Sequence, residues 1–177
     1  PFGLVITRLT GQGDVRKIGS GNIGATNVLR TGNKRLALAT LLLDSSKGAA
    51  AAMLLGSFDP LAGLIGGGLA VIGHNFPIWL KFVGGKGVAT TLGVLIALAW
   101  PVGIAACITW ILIAFLFRIS SLAALVALSI SPFYAWWLAG DLGLTALTIL
   151  LAILSLLRHH ENIIRLMNGQ ESKIGNE

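Results

Sequence analysis

Apolar blocks of near membrane-spanning length, separated by short breaks, occupy most of this chain and restrict its fold more than any other feature. They are a short opening stretch at 1–10, then 35–56, 61–80, 88–99, 102–117, 119–139 and 142–166. In a hydrocarbon core every backbone amide needs an internal partner, which leaves helices or closed barrels. The blocks are uniformly apolar and do not alternate, so the pattern is that of helices. An all-α integral membrane protein is predicted, a seven-helix bundle with residues 1–177 forming one transmembrane domain. The opening stretch is too short to cross about 30 Å of hydrocarbon, so the first helix is expected to be truncated at its start.

Charge sets the sidedness. Only 11% of residues are charged, yet 13 Lys and Arg face 7 Asp and Glu, a net charge of +6. On so apolar a chain this excess points to a cytoplasmic face and an anionic substrate rather than to nucleic acid. Arg8, Arg16, Lys17, Arg30, Lys34 and Arg35 follow the first block, Lys81 and Lys86 the third, and Arg158, Arg165 and Lys173 end the chain. The turns holding Asp59 and Asp141 contain no cation and are assigned to the outside. The stretch from Val88 to Phe117 decides the count. As one helix it would carry Arg118 outward. Broken at Trp100-Pro101 it becomes a short pair, about 18 and 24 Å long, that returns Arg118 and places the C-terminus in the cytoplasm.

Three polar elements fall on that one face. The first runs from Asp14 to Lys34 around Gly19-Ser20-Gly21-Asn22-Ile23-Gly24 and continues through Thr26, Asn27 and Arg30. Its glycines can turn amides toward one point, and its hydroxyls and cations suit a phosphate dianion. The run matches G-x-G-x-x-G, but no strand precedes it and no βαβ unit follows, so a dinucleotide fold is rejected. A loop that merely attracts anionic lipid is the plainer alternative. The second element is Gly84-Gly85-Lys86-Gly87 at the start of a helix, preceded by His74-Asn75-Phe76-Pro77. A glycine turn bearing lysine at a helix N-terminus directs amides, dipole and charge at an anion. His74 taken alone reads first as a hydrogen-bonded packing residue.

The third element, Arg158-His159-His160-Glu161-Asn162 with Arg165, continues the last helix out of the membrane. Helical spacing puts Arg158, Asn162 and Arg165 on one stripe and lets Glu161 pair with Arg165. Asp44 and Lys47, three residues apart inside an apolar helix, are expected to pair and face inward. Ser120 and Ser121 open another helix on the same face, as caps or as further phosphate donors. The single cysteine, Cys107, lies in an apolar run. No metal-ligand spacing is present, and neither a metal nor any other cofactor is expected. Two anions handled at one interface suggest phosphate-bearing substrates. A transporter is the rival, since transporters also use broken helices, but their sites lie at the midplane between repeats and no repeat is visible.

Three blocks resemble the bacterial acyl-phosphate-dependent glycerol-3-phosphate acyltransferases: Gly19 to Arg30, Gly73-His-Asn-Phe-Pro77 through Gly84-Gly-Lys-Gly-Val-Ala-Thr90, and Arg158-His-His-Glu-Asn162 with Arg165-Leu166. The resemblance covers nearly the whole chain. It implies an inner-membrane enzyme, expected to act as a monomer, that moves a fatty acyl group from acyl phosphate to the 1-hydroxyl of glycerol 3-phosphate. By that resemblance Gly19, Ser20, Gly21, Asn22, Thr26, Asn27 and Arg30, with Ser121, would hold acyl phosphate. Gly84, Gly85, Lys86 and Gly87 would hold glycerol 3-phosphate. His159 and Asn162 would orient the phosphates or the attacking hydroxyl, and the catalytic set is Ser20, Arg30, Lys86, His159 and Asn162. His74, Glu161 and Arg165 would support them. The His-x4-Asp signature of the other large glycerophosphate acyltransferase family is absent, since Trp79, Ile164 and Arg165 stand at the fifth positions after the three histidines.

Overall fold

A computed structural model describes residues 1–175. Among them are nine α-helices: α1 (Phe2–Leu9), α2 (Ala25–Leu29), α3 (Lys34–Gly56), α4 (Pro60–Asn75), α5 (Val88–Leu98), α6 (Trp100–Phe117), α7 (Ser120–Tyr134), α8 (Leu142–Arg158) and α9 (His160–Met167). Each of the seven blocks expected from sequence corresponds to helix. The count rises to nine because α2 forms within the first polar loop and the last block divides in two. Lys34–Gly56, Pro60–Leu80, Trp100–Phe117 and Ser120–Ala139 are long and apolar enough to cross a membrane, and α8 with α9 would make a fifth such span.

Local chemistry explains most of the helix ends. Asn33 caps α3 by accepting from Leu36 N at 3.1 Å. Asp59 caps α4 through Ala62 N, with Pro60 in its first turn, and Asp141 caps α8 through Leu144 N. The two aspartates of the cation-free turns are therefore N-caps. Within α7, Pro132 cannot donate to the Leu128 carbonyl, and the Ser131 hydroxyl takes that carbonyl at 2.8 Å before the chain widens into a π turn at Ala135–Ala139.

The break at Trp100-Pro101 is present, and it sits on Ala99. That residue is extended (φ −154°, ψ 91°), and Trp100 and Pro101 open α6, where proline needs no donor. Then α6 folds back on α5, so closely that a Cβ added at Gly103 would stand 2.4 Å from Ile96 N. The continuous helix expected over 142–166 is corrected: it bends by 63° at His159. The His159 amide divides between the carbonyls of Ser155 and Leu156, at 3.0 and 3.2 Å, and its ring Nδ1 also lies 2.8 Å from the Ser155 carbonyl. Neither proline nor glycine marks this bend, so no periodicity could reveal it.

Close backbone crossings set the framework of the site. A Cβ at Gly93 of α5 would stand 2.1 Å from Ser45 O of α3, and one at Gly48 of α3 would stand 2.5 Å from Thr90 O of α5. Small residues thus let α3 and α5 touch along their backbones, which brings Asp44 and Lys47 beneath the start of α5. The first loop is pinned by a separate apolar cluster of Leu4, Val15, Ile23, Val28 and Ala37.

Candidate active site

The first loop is built around Asn27. Its amide nitrogen donates to the carbonyls of Val15, Ile18 and Asn22 at 2.7–2.9 Å, while its Oδ1 accepts from Ser20 N at 3.2 Å. With its polar atoms spent inside the loop, Asn27 shapes the cradle. Gly19 (φ +52°) passes under Arg30, where a Cβ would stand 2.6 Å from Arg30 Cδ. Arg30 reaches Asn27 Oδ1 at 3.4 Å and donates to Ser172 Oγ at 2.5 Å. Thr26 Oγ1 meets Ser120 Oγ at 3.0 Å, tying the loop to the start of α7.

The glycine turn is clamped from two sides. Gly84 N and Gly85 N donate to the carbonyls of Asn75 and His74 at 3.1 and 3.2 Å. From the other side Arg158, stacked over Phe76, donates to the carbonyls of Gly84 and Gly85 at 3.1 and 3.3 Å. Gly87 then takes the left-handed conformation (φ +77°) that swings the chain into α5. Lys86 leaves this turn to donate to Asn162 Oδ1 of α9. Burial pulls the Lys86 ammonium down to about 8, against the attraction of Glu171.

Glu171 organises the third element. Its carboxylate accepts from Asn162 Nδ2 at 2.6 Å, Ser121 Oγ at 2.8 Å and Arg165 Nε at 2.7 Å. Burial pushes this carboxyl up, but those donors outweigh burial and hold it below the ordinary carboxylate range. The tail beyond it crosses to α7, where Ile174 N donates to Arg118 O and Arg118 Nη2 to Ile174 O.

These elements enclose a cavity of about 590 Å³. Ser20, Asn22, Thr26, Asn27, Arg30, His74, Lys86, Gly87, Ser121, His159 and Asn162 line it, together with Glu171 and Ser172. It continues into an apolar arm between Leu38, Leu41 and Leu42 of α3, Ile96 of α5 and Cys107, Trp110 and Ile111 of α6. A second chamber of about 570 Å³ adjoins it, lined by Ile18, Gly19, Ser20, Arg30, Arg165, Gln170 and Ser172.

Several expected site residues stand elsewhere. Gly84 and Gly85 lie outside the cavity wall and support it through their backbone. Gly21 turns the loop (φ +69°) without reaching the cavity. Glu161 pairs with Arg165 at 3.8 Å, as its i,i+4 spacing predicts, and lies 4.0 Å from His160, with its side chain exposed and away from the cavity because the bend at His159 rotates α9 off the line of α8. The same bend takes Arg158 off the expected stripe. Arg158 goes to the glycine turn, while Asn162 and Arg165, three residues apart on α9, both donate to Glu171. Sequence reasoning missed the roles of Glu171 and Ser172. The one available signal for Glu171 was an isolated carboxylate among cations beyond the last helix.

Fold and site together define a helical membrane protein whose cation-bearing polar cavity continues into an apolar arm. Residues 1–169 match the family described as Glycerol-3-phosphate acyltransferase. The chain is 62% identical to the glycerol-3-phosphate acyltransferase of Rhodospirillum rubrum over 184 aligned positions, covering 99% of this chain and 85% of that one. It is 58% identical to that of Paramagnetospirillum magneticum, covering 99% and 87%. Its fold matches the crystal structure of PlsY (YgiH), an integral membrane glycerol 3-phosphate acyltransferase, in its glycerol 3-phosphate form, with a TM-score of 0.93, 34% identity and coverage of 98% and 88%. The lysophosphatidic acid form of PlsY matches with a TM-score of 0.90, 33% identity and the same coverage. The chain belongs to the glycerol-3-phosphate acyltransferase family. It is a multi-pass membrane acyltransferase of phospholipid synthesis.

Proposed function

We propose that this protein transfers a fatty acyl group from acyl phosphate to the 1-hydroxyl of glycerol 3-phosphate, giving lysophosphatidic acid and phosphate. The observation that carries the reading is one cavity in which Ser20, Thr26 and Arg30 of the first loop meet Lys86, His159 and Asn162, and which opens into an apolar arm. The arm takes the acyl chain. Ser20 and Arg30 hold the donor phosphate, with Thr26 and Ser121 beside them, and Lys86 at the glycine turn holds the acceptor phosphate. In the transfer, the acceptor oxygen bonds to the acyl carbon, the bond from that carbon to the phosphate oxygen breaks, and the hydroxyl proton leaves with the departing phosphate. Arg30 and Lys86 neutralise the charge that develops. The His159 ring, with Nδ1–H donating to Ser155 O, presents Nε2 as an acceptor for the second hydroxyl of glycerol 3-phosphate, which orients the acceptor and leaves the proton of the attacking hydroxyl to the phosphate.

The cavity brings these groups together without needing a residue from a second copy, and we read the enzyme as a single-domain monomer. The cations join loop, turn and tail at one end of the bundle, while the aspartate-capped turns contain none, which supports an active site and C-terminus on the cytoplasmic face of a bacterial inner membrane.

The test is phosphate release from palmitoyl phosphate by the purified protein, with and without glycerol 3-phosphate, with palmitoyl-CoA as the control donor. Release that requires glycerol 3-phosphate and yields lysophosphatidic acid is expected. Turnover of palmitoyl-CoA alone would overturn the choice of donor. Loss of an essential base from the acid limb of the rate profile on His159→Gln would overturn proton transfer to the phosphate.

A further inference from the structure

Beneath the glycine turn lies a buried charged group to which the transfer chemistry assigns no part: Asp44 and Lys47 of α3 and His74 of α4. Asp44 Oδ1 accepts from Lys47 Nζ at 2.5 Å and from Phe2 N at 3.1 Å. The same ammonium lies 2.6 Å from His74 Nδ1, while Asp44 Oδ1 lies 3.6 Å from that nitrogen. The side chains of Asp44 and His74 are almost wholly enclosed. A lysine and an aspartate three residues apart can satisfy each other without a histidine, so enclosing the ring as well calls for a reason.

The geometry fixes the ring's proton. An ammonium has donors only, so at 2.6 Å the Nδ1 atom must be an acceptor. A distance of 3.6 Å is too long for a competing Nδ1–H bond to Asp44. The single ring proton therefore sits on Nε2. That nitrogen points at the glycine turn: it is the atom nearest to a Cβ added at Gly85, at 2.1 Å. His74 also lines the cavity that Lys86 lines.

We propose that His74 donates a hydrogen bond from Nε2–H to the phosphate of glycerol 3-phosphate bound beside Lys86 and Gly87, the part of the turn that lines the cavity, and that Lys47, anchored by Asp44, is the positioning residue that holds the ring in this tautomer. The proposal rests on the reading that this turn binds the acceptor. Any Cβ at Gly85 would collide with the ring at Nε2, so this position must be glycine for His74 to sit here beside the cavity. The lysine serves through the imidazole and leaves the substrate to it.

The experiment uses the whole chain and separates KM for glycerol 3-phosphate, KM for palmitoyl phosphate and kcat. His74→Asn, whose amide cannot reach the place of Nε2, is expected to raise the acceptor KM about tenfold or more, as loss of a hydrogen bond to a charged group does, with kcat and the donor KM little changed. His74→Gln, whose amide nitrogen can stand where Nε2 stood, recovers a large part of that loss. Lys47→Gln repeats the phenotype of His74→Asn. A His74→Gln variant no better than His74→Asn, or a loss spread evenly over kcat and both KM values, overturns the proposal. Lys86→Gln serves as the reference. If it too leaves the acceptor KM unchanged, the assignment of the turn has failed. If it raises that KM while the His74 and Lys47 variants do not, this inference alone has failed. Should His74→Asn not fold, 15N spectra of histidine-labelled wild type and His74→Gln decide: the resonance lost on substitution must be that of a ring protonated at Nε2, and one protonated at Nδ1 refutes the relay.

Discussion

Thr26 and Ser120 stand 94 positions apart in the chain, and their hydroxyl oxygens stand 3.0 Å apart in the fold. The contact exists because Ala99 breaks the apolar run and sends α6 back to the face that α5 left. Had Val88–Phe117 been one helix, the two hydroxyls would lie on opposite sides of the membrane. In a Cys107→Ser background, the pair Thr26→Cys and Ser120→Cys is expected to crosslink under mild oxidation. Mobility on a non-reducing gel, followed by proteolytic mapping, checks this, and failure to crosslink would refute the return of α6.

Lys86 should impose an alkaline limit on acceptor binding. Its ammonium is pulled down to about 8 by burial, so the free enzyme loses this charge as pH rises through that value. The KM for glycerol 3-phosphate is expected to climb above pH 8, by about tenfold per pH unit once the neutral form dominates. Lys86→Arg should remove the limb. Glu171→Gln should move it to lower pH, because the carboxylate supports the ammonium charge. For stability the sign is opposite. The fold releases this proton before the unfolded chain does, so the group favours folding increasingly as pH rises from about 8 toward 10.5. Acceptor kinetics and thermal unfolding across that window test both directions.

Arg158 acts on substrate only through the turn. Its guanidinium holds the carbonyls of Gly84 and Gly85, and Arg158→Gln removes that clamp without adding or deleting a donor to the cavity. The acceptor KM should rise about tenfold while kcat stays within about threefold, the pattern of lost pre-organisation. Steady-state kinetics with varied glycerol 3-phosphate decides, and an equal fall in kcat would mean that Arg158 serves the transition state directly.

Gly93 and Gly73 form a matched pair for the helix crossing. Alanine at Gly93 puts a methyl 2.1 Å from Ser45 O, whereas alanine at Gly73 meets nothing within 4 Å. Gly93→Ala should destabilise by about 1–3 kcal/mol or more, since neither backbone can yield without parting α3 from α5. Gly73→Ala should be neutral or slightly stabilising, by up to about 1 kcal/mol. Apparent melting temperatures in detergent provide the comparison.

Cys107 lines the apolar arm from α6, beside Trp110 and Ile111. Cys107→Trp should block the far part of that arm and shift donor preference toward shorter chains. Competition between acyl phosphates of different length measures the shift, and an unchanged preference would place the acyl chain elsewhere.

Much of the site was legible because its chemistry is local. Ser20, Thr26, Arg30 and Lys86 announce themselves as polar groups that an apolar chain would otherwise exclude, and all four line the cavity. Roles that depend on partners were less visible. Asn27 carries the same residue type whether it binds substrate or braces a loop, and only its contacts to Val15, Ile18 and Asn22 assign the second. Glu161 sits within a polar block yet faces solvent.

By itself the sequence determined that the chain is a helical membrane protein, where most of its long helices begin and end to within a few residues, and which breaks between them carry the cations. Those properties follow from hydropathy, capping and proline, which act over a few residues. Only the tertiary structure decided the bend at His159, the convergence of Asn162, Ser121 and Arg165 on Glu171, and the seating of His74 between Lys47 and Gly85. Each depends on which helices cross and how closely. That is settled by glycine-mediated backbone contacts between elements far apart in the chain, which no local pattern encodes.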